Sequence, residues 1–437
     1  LSYFAVEDNF RFLFELFLLT VGYWLAPWVA ILVVDRLLRK GQDIDNMVWG
    51  DTLTNDGHHG KHFDYCLANP PFGVEWKKQQ AFVEREHLDR GFDGRFGPGT
   101  PRVSDGSLLF LLHLVKKMRP VTKEGGGGRI GIVLNGSPLF TGNAGSGESE
   151  IRKYLLEQDL VEAIIGLPKD MFYNTGIATY IWILSNNKPA ERKGKVQLID
   201  ATNEFEKLRK NLGDKRAKIS QANLQNIVRS YHSFEQTETS KIFKTTDFGY
   251  TTITVEQPLR LSWALTEDHI ENALSAKAFE KLSAGDRIQV EDALKAEAVS
   301  DPSTTTDSAE FTKRIQKAVS HLSLSSSPIK NLVAGLSEHD DNAPIVKDAK
   351  GKPVADTSLR DTENVPLDAD IDAYAAREIA PHLPDFWLDR SKDKVGYEIP
   401  FTRHFYKYES PRPLEEIDAD LNKLISEISQ LLIEIEK

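Results

Sequence analysis

Over residues 40–200, short and almost wholly apolar runs alternate with longer segments whose patterns predict helices. The strand-like runs are FDYCLAN (63–69), GRIGIVLNGSPLF (128–140, a strand and a turn), EAIIGLP (162–168), TYIWILSN (179–186) and GKVQLIDA (194–201). The helical segments include DGSLLFLLHLVKKMRP (105–120) and GESEIRKYLLEQDLV (147–161). This alternation is typical of a mostly parallel sheet covered on both faces, so it predicts an α/β fold. The short turns between the last strands predict an antiparallel edge.

Length, charge and cysteine content narrow the choice of protein class. A chain of 437 residues has room for about two to three domains with their own cores. Its net charge of −11 argues against broad nonspecific nucleic-acid binding, but it allows local basic patches or a basic partner. The single cysteine, Cys66, excludes an internal disulfide and a zinc cluster. These features favour a cytoplasmic protein without a metal site.

The beginning of the chain differs in character from the rest. The chain starts at Leu1 rather than Met, so we expect an upstream region. Residues 16–34 contain no charge, and Asp35 and Arg36 follow them. This length fits a transmembrane helix, but it also fits a buried strand, a turn at Pro27 and a buried helix, or a frameshifted fragment. Because nothing else in the chain is membrane-like, we treat residues 1–36 as an uncertain apolar segment and expect no membrane association.

The chain after residue 201 divides by composition into three regions. Residues 202–300 are polar and predict helices; within them KLRKNLGDKRAK (207–218) is either a solvated helical face or a nucleic-acid contact. Residues 301–365 are rich in Ser, Thr, Pro and Asp and predict a loop-rich linker. Residues 366–437 end in a predicted helix that binds a partner's helix or docks on its own chain. Its apolar positions follow a heptad spacing: Ile417, Leu421, Leu424, Ile428, Leu431 and Ile435.

One strand runs directly into the sequence Asn69-Pro70-Pro71-Phe72. The two prolines fix φ and lack an N–H, and each pushes the residue before it into an extended conformation. The resulting stiff segment presents the Asn69 amide and a backbone carbonyl, with the Phe72 ring close behind. Two acceptors and a flat ring suit a ligand that carries an exocyclic NH2 on an aromatic ring. Hydrogen-bonding both protons of an adenine amine would free the nitrogen lone pair to attack an activated methyl group.

Asn-Pro-Pro-Phe after an apolar strand resembles the catalytic motif of amino-DNA methyltransferases. Together with SDGSLLFLLHLVKKM, VEAIIGLPKDMFYNTGIATYIWILSNNK and VGYEIPFTRHFYKYESPRPLEEI, it resembles the modification (M) subunit of type I restriction–modification systems. The resemblance covers roughly 37–200 and 365–437. It implies an S-adenosylmethionine-dependent methyltransferase (Rossmann-like) sheet over 37–201, incomplete in its N-terminal half, with a mostly helical C-terminal region. It also implies methylation of adenine N6 in double-stranded DNA, in a complex with specificity (S) and restriction (R) subunits.

The resemblance assigns roles to residues of this chain by position. Asp51, in WGDTL, contacts the adenine amine of S-adenosylmethionine or caps a helix; Asp105 contacts the methionine end of the cofactor or caps the following helix. The catalytic motif is Asn69, Pro70, Pro71 and Phe72, and Phe72 is the base-stacking ring. The loop that lines the target-base pocket consists of Phe172, Asn174, Thr175 and Gly176.

The chain also departs from the family pattern. The glycine-rich cofactor loop expected upstream of residue 37 is absent, and Tyr23 and Trp24 stand where an acid should hold the cofactor's ribose. Two other readings therefore stay open. The chain is an inactive truncated remnant that acts as an assembly scaffold, or it methylates RNA bases or protein glutamine. The last class lacks the C-terminal region with YEIPFTRHFYKYE.

Overall fold

The computed structural model describes residues 48–173, 175–275, 279, 284–322, 324, 326–348, 350–408 and 410–435. The apolar segment predicted over 1–36 lies outside these residues. Contacts divide the chain into two compact units: the part up to Phe248 together with Tyr397 onward, and Gly249–Gly396. No helix in the described part is long and apolar enough to cross a membrane.

The described part of the first unit contains ten strands. They are β1 Tyr65–Ala68, β2 Val121–Thr122, β3 Gly125–Gly126, β4 Arg129–Asn135, β5 Val161–Gly166, β6 Thr179–Ser185, β7 Lys195–Asp200, β8 Glu206–Leu212, β9 Lys215–Lys218 and β10 Ser240–Lys244. Six of them form one sheet in the order β1-β4-β6-β5-β7-β10. Strands β2 with β3, and β8 with β9, form separate hairpins.

The six-stranded sheet confirms the α/β class but is more mixed than the sequence predicted. Strands β1 and β4 pair in parallel, as do β5 and β7. Strand β6 runs antiparallel between β4 and β5, and β10 runs antiparallel to β7. The edge strand β10 is antiparallel, in agreement with the predicted antiparallel edge. The sequence did not show that β6 runs antiparallel inside the sheet, because its pairing is decided by strands that are distant in sequence. Four strands, β1, β4, β5 and β7, still end at one edge, called the carboxyl edge below.

The helices of the first unit follow local sequence signals. They are α1 Gln80–Arg90, α2 Ser107–Lys117, α3 Ser137–Phe140, α4 Gly147–Glu157 and α5 Gln221–Ser233. The Ser146 side chain accepts a hydrogen bond from Ser149 N–H at the start of α4. A capping box between Ser220 and Asn223 begins α5. Every residue of β5 is buried, as its continuous apolar run predicted.

The second unit is built from strands as well as helices. Its helices are α6 Glu267–Ser275, α7 Ala284–Ser300, α8 Ser308–Ala318, α9 Ser326–Gly335 and α10 Ile371–Tyr374, the last continued by a π-helix, Ala375–Ile379. Its strands are β11 Gly249–Glu256, β12 Leu261–Trp263, β13 Ser337–His339, β14 Asp361–Pro366, β15 Trp387–Leu388 and β16 Lys394–Tyr397. The first unit then resumes with α11 Phe401–Phe405 and α12 Leu414–Ile435.

Two regional predictions for the C-terminal half are corrected by these elements. Residues 202–300 are not wholly helical, since they hold β8 to β12, and the basic run 207–218 is a β-hairpin. Residues 301–365 are not a linker, because Phe311 and Ile315 on α8 are fully buried in a cluster with Leu332 of α9. Burial of these few large apolar residues stabilises a folded structure here, although the average composition of the region is typical of a loop.

The fully buried Arg152 connects the C-terminal segment from Tyr397 onward to the rest of the first unit. The Arg152 guanidinium donates to the carbonyl oxygens of Tyr397, Pro138 and Thr141. The backbone N–H of Ile399 donates to the Leu139 carbonyl at 2.8 Å. Residues 397–405 therefore form part of the structure around the end of β4.

Candidate functional site

Asn69 immediately follows β1, at the carboxyl edge of the sheet. This position was predicted from the sequence and is confirmed. The Asn69 side chain is exposed, whereas Pro70 behind it is buried. Ligands of open α/β sheets bind beyond the carboxyl ends of parallel strands, so Asn69 stands where a ligand is expected.

The chain beyond the motif turns sharply and is held in place by the next loop. Gly73 has a φ of 59°, and a Cβ there would lie 3.5 Å from Asn135 Nδ2. Trp76 is buried and donates its indole N–H to the Arg102 carbonyl at 2.9 Å. The Gly106 N–H donates to the Val74 carbonyl at 3.0 Å. These contacts hold in place the chain that directly follows the stiff Asn-Pro-Pro-Phe segment.

The structure brings the predicted stacking ring and the predicted pocket loop together. The rings of Phe72 and Phe172 meet edge to face, with centroids 5.3 Å apart and planes at 78°. Phe172 pairs with Thr175 in an isolated bridge. A Cβ at Gly176 would lie 2.7 Å from Asp170 Oδ1, so a side chain there would require the Asp170 side chain to move. Asn174, the remaining predicted pocket residue, lies outside the described residues.

Asp51 caps a turn and remains exposed. Its Oδ1 accepts the backbone N–H of Leu53 at 2.9 Å, and its Oδ2 accepts Gln79 Nε2–H at 2.7 Å. Gln79 belongs to the segment that follows the catalytic motif, so the bond ties the two segments together. Only Oδ1 of Asp51 caps the turn. The carboxylate as a whole is exposed and therefore accessible to a ligand.

Asp105 is buried and serves the start of α2. Its Oδ1 accepts the backbone N–H of Ser107 at 3.0 Å. The cavity beside it measures about 10 Å³ and is lined by Ser137, Pro138 and Glu148 among others. A cavity of this size holds no more than a water molecule. The geometry supports the capping role, and a contact of Asp105 with the cofactor stays a prediction.

Two buried polar atoms at the same edge were missed from the sequence. Asn135 ends β4 and Thr179 begins β6, and the two residues face each other in the antiparallel ladder. Asn135 Oδ1 and Thr179 Oγ1 are buried and have no hydrogen-bond partner among the described residues. Such groups are costly unless a water or a ligand satisfies them. The sequence contains a signal for Asn135, because this residue ends an apolar strand just before a glycine, much as Asn69 follows its own strand before a proline.

One titratable group next to this edge has a shifted pKa. Burial raises the pKa of the Tyr180 phenol, and the charge of Asp200 adds to the effect. Tyr180 therefore stays protonated at neutral pH. The ring of Phe401 packs against it edge to face at 5.1 Å, which joins the C-terminal segment to the edge.

Residues 35–254, half of the chain, match the sequence profile of N-6 DNA methylases. The chain belongs to the N-6 DNA methylase family. Among the curated relatives of this chain, the MjaVII type I restriction enzyme methylase subunit of Methanocaldococcus jannaschii is 31% identical over 246 residues. That match covers 54% of this chain and 38% of the relative. The HindI methylase subunit of Haemophilus influenzae is 35% identical over 153 residues, which are 35% of this chain and 30% of that protein.

A solved structure of the same type is also similar. The methyltransferase subunit of a type I restriction–modification system from Streptococcus thermophilus is 28% identical, with a TM-score of 0.37. That likeness covers 46% of this chain and 38% of the other. The curated relatives confirm the resemblance to type I modification subunits that the motifs indicated. The chain spans less than half of the length of the first relatives that it matches.

Proposed function

We propose that this chain is the catalytic part of a type I modification subunit, which methylates adenine N6 in double-stranded DNA. The observation that carries the proposal is the exposed Asn69 amide at the carboxyl edge, with Phe72 and Phe172 in contact beside it. An accessible acceptor next to two aromatic rings matches the needs of a flat base that carries an exocyclic amine.

Asn69 Oδ1 and the Pro70 carbonyl are the two acceptors for the N6 protons. With both N–H groups held, the nitrogen becomes more tetrahedral and its lone pair is no longer delocalised into the ring. The amine would then attack the sulfonium methyl carbon without a strong general base. The C–S bond would break, the neutral thioether would leave, and the methylated nitrogen would lose its extra proton to solvent. Because Pro71 follows Pro70 and restricts its ψ, the Pro70 carbonyl does not have to be reoriented for the reaction.

Phe72 and Phe172 would hold the flipped base. The two rings are in direct edge-to-face contact. A base that enters the site would stack on a ring face beside this contact. Taking a base out of the duplex costs a few kcal/mol, which stacking on these rings would partly offset.

S-adenosylmethionine supplies an electrophilic methyl group on a sulfonium. Among the predicted cofactor residues, Asp51 fits this ligand, because its carboxylate is exposed and can accept a hydrogen bond from an adenine amine. Its bond to Gln79 orients it from the side of the catalytic motif. The buried Asp105 would act by holding the start of α2.

The terminal helix α12 is proposed to bind a specificity subunit, which reads the DNA sequence. Its apolar side chains are exposed rather than packed on the described chain: Leu421, Leu424, Ile428 and Leu431 are 50–59% exposed. A heptad seam in water is stable only against another helix. We propose that the chain acts in the cytoplasm on genomic DNA, in a complex that also includes a restriction subunit.

Two other functions remain distinguishable. A scaffold role predicts that the chain binds no S-adenosylmethionine, which isothermal calorimetry measures directly. Methylation of RNA or protein glutamine is disfavoured because enzymes of that class lack this C-terminal region. Here the region contributes Phe401 to the carboxyl edge and continues into the exposed helix α12.

The test is transfer of a labelled methyl group from S-adenosylmethionine to duplex DNA by the chain with its cognate specificity subunit. Digestion of the DNA and mass spectrometry should find the label as N6-methyladenine. Label in RNA or protein only, or no transfer by a complex that binds both cofactor and DNA, would refute the proposal.

A further inference from the structure

The hairpin formed by β8 and β9 is the most basic exposed element of the first unit's described part. Over 207–218 it carries six basic residues and one acid: Lys207, Arg209, Lys210, Lys215, Arg216, Lys218 and Asp214. All of them except Lys215 are exposed. In a chain with a net charge of −11, so many cations on one short hairpin need an explanation.

The hairpin is anchored on the loop that carries Phe172. The backbone N–H of Asp214 donates to the Tyr173 carbonyl at 2.9 Å, and the N–H of Arg216 donates to the Asp170 carbonyl at 2.9 Å. The Lys215 ammonium lies 5.5 Å from the centre of the Tyr173 ring. A series of contacts therefore runs from the hairpin through residues 170–173 to the ring of Phe72.

Most of the hairpin's charge is not used within the described chain. Lys218 pairs with Glu206 at 3.0 Å, and both side chains are about half exposed. Lys207, Arg209 and Lys210 form no salt bridge with another described residue. An element that served only to brace the loop would not need them, because the bracing hydrogen bonds come from its backbone.

We propose that the β8–β9 hairpin is a binding site for the sugar–phosphate backbone of DNA next to the target base. The inference rests on the proposed function, and it adds where the DNA strand is held. A base extruded toward Phe72 keeps its flanking phosphates outside the pocket, beside the loop that the hairpin braces. Lys and Arg on an exposed hairpin supply the positive charge that phosphates require. The hairpin thus binds the strand and shapes the base pocket at the same time.

The test compares two charge-neutralised variants of the full chain in complex with its specificity subunit. One is Arg209→Gln/Lys210→Gln. The matched control, Lys123→Gln/Lys193→Gln, removes the same charge from exposed residues that precede β4 and β7, at the opposite edge of the sheet. Duplex DNA binding is measured by fluorescence anisotropy over a series of salt concentrations. Thermal unfolding and S-adenosylmethionine calorimetry check that each variant is folded.

The hairpin variant should lower the slope of log affinity against log salt by about two, since each lost phosphate contact contributes about 0.9. Its affinity near 0.1 M salt should fall by about 10- to 100-fold, while the control stays close to the parent. Equal slopes for the two variants would overturn the inference and leave the proposed function intact. Loss of the specificity subunit from the hairpin variant would overturn it too, because the cations would then bind a protein. No DNA binding by the parent complex would refute both.

Discussion

At the residue scale, the catalytic motif shows why its four residue types are needed together. Asn69 supplies an exposed acceptor, the buried Pro70 a rigid backbone, and Phe72 a ring that meets Phe172. Gly73 then turns the chain at a φ of 59°, a conformation that strains other residues. Each of these roles follows from the covalent structure of the residue.

Removing the stacking ring should weaken DNA binding more than it slows the methyl transfer itself. For Phe72→Ala we expect a loss of about 1–3 kcal/mol in binding of the extruded base, because one aromatic face no longer stacks on it. The measurement is the affinity for duplex DNA whose target adenine is mismatched, with Phe92→Ala as the exposed aromatic control. An affinity equal to that of the control would show that Phe72 does not contact the base.

At the scale of elements, the sequence predicted local structure well and long-range pairing poorly. The apolar runs located β4, β5, β6 and β7, because burial on both faces leaves a continuous signal. They did not show that β6 lies between β4 and β5, since that order depends on contacts far apart in sequence. The basic run 207–218 was expected to be helical, yet it is a hairpin that bends at Gly213, with a φ of 62°. Of the candidate site, the sequence predicted the motif and the loop but missed Asn135 and Thr179.

The terminal helix gives the prediction at this scale. A chain that ends at Pro413 lacks α12 and should lose its complex with the specificity subunit, because the exposed heptad seam is removed with the helix. Co-purification of the two proteins measures this, and S-adenosylmethionine binding serves as the check on folding. If the shortened chain retained a full-strength complex, the seam would not be the partner-binding element.

At the scale of the whole molecule, buried charges tie helices and turns together. Between α1, α2 and the turns that precede β1, Arg95 pairs with Glu86 at 2.6 Å and Lys117 with Asp56 at 2.5 Å. His113 lies among them, buried, with its Nδ1 3.3 Å from Arg95 Nη1. Burial and the Arg95 charge lower the pKa of His113 to about 4.

This histidine should make the fold sensitive to mild acid. An unfolded histidine gains a proton below a pKa of about 6.5, whereas the folded one does not until about 4, so stability is lost between these values. From pH 7 to pH 5 the loss from His113 should be about 2 kcal/mol. From pH 7 to pH 5, the free energy of unfolding of His113→Gln should decrease by about 2 kcal/mol less than that of the parent. The exposed His59→Gln should behave like the parent, and a parent-like fall in His113→Gln would contradict the assignment.

The central claim is that Asn69 activates the adenine amine without contributing to cofactor binding. It is tested most directly in Asn69→Ala, by measuring methyl transfer to DNA and S-adenosylmethionine affinity on the same preparation of the complex. The exposed Asn55→Ala serves as the matched control. We predict that Asn69→Ala abolishes formation of N6-methyladenine while the cofactor dissociation constant changes less than about twofold. Turnover close to that of the parent would contradict the account, because the amine would then be activated by some other group.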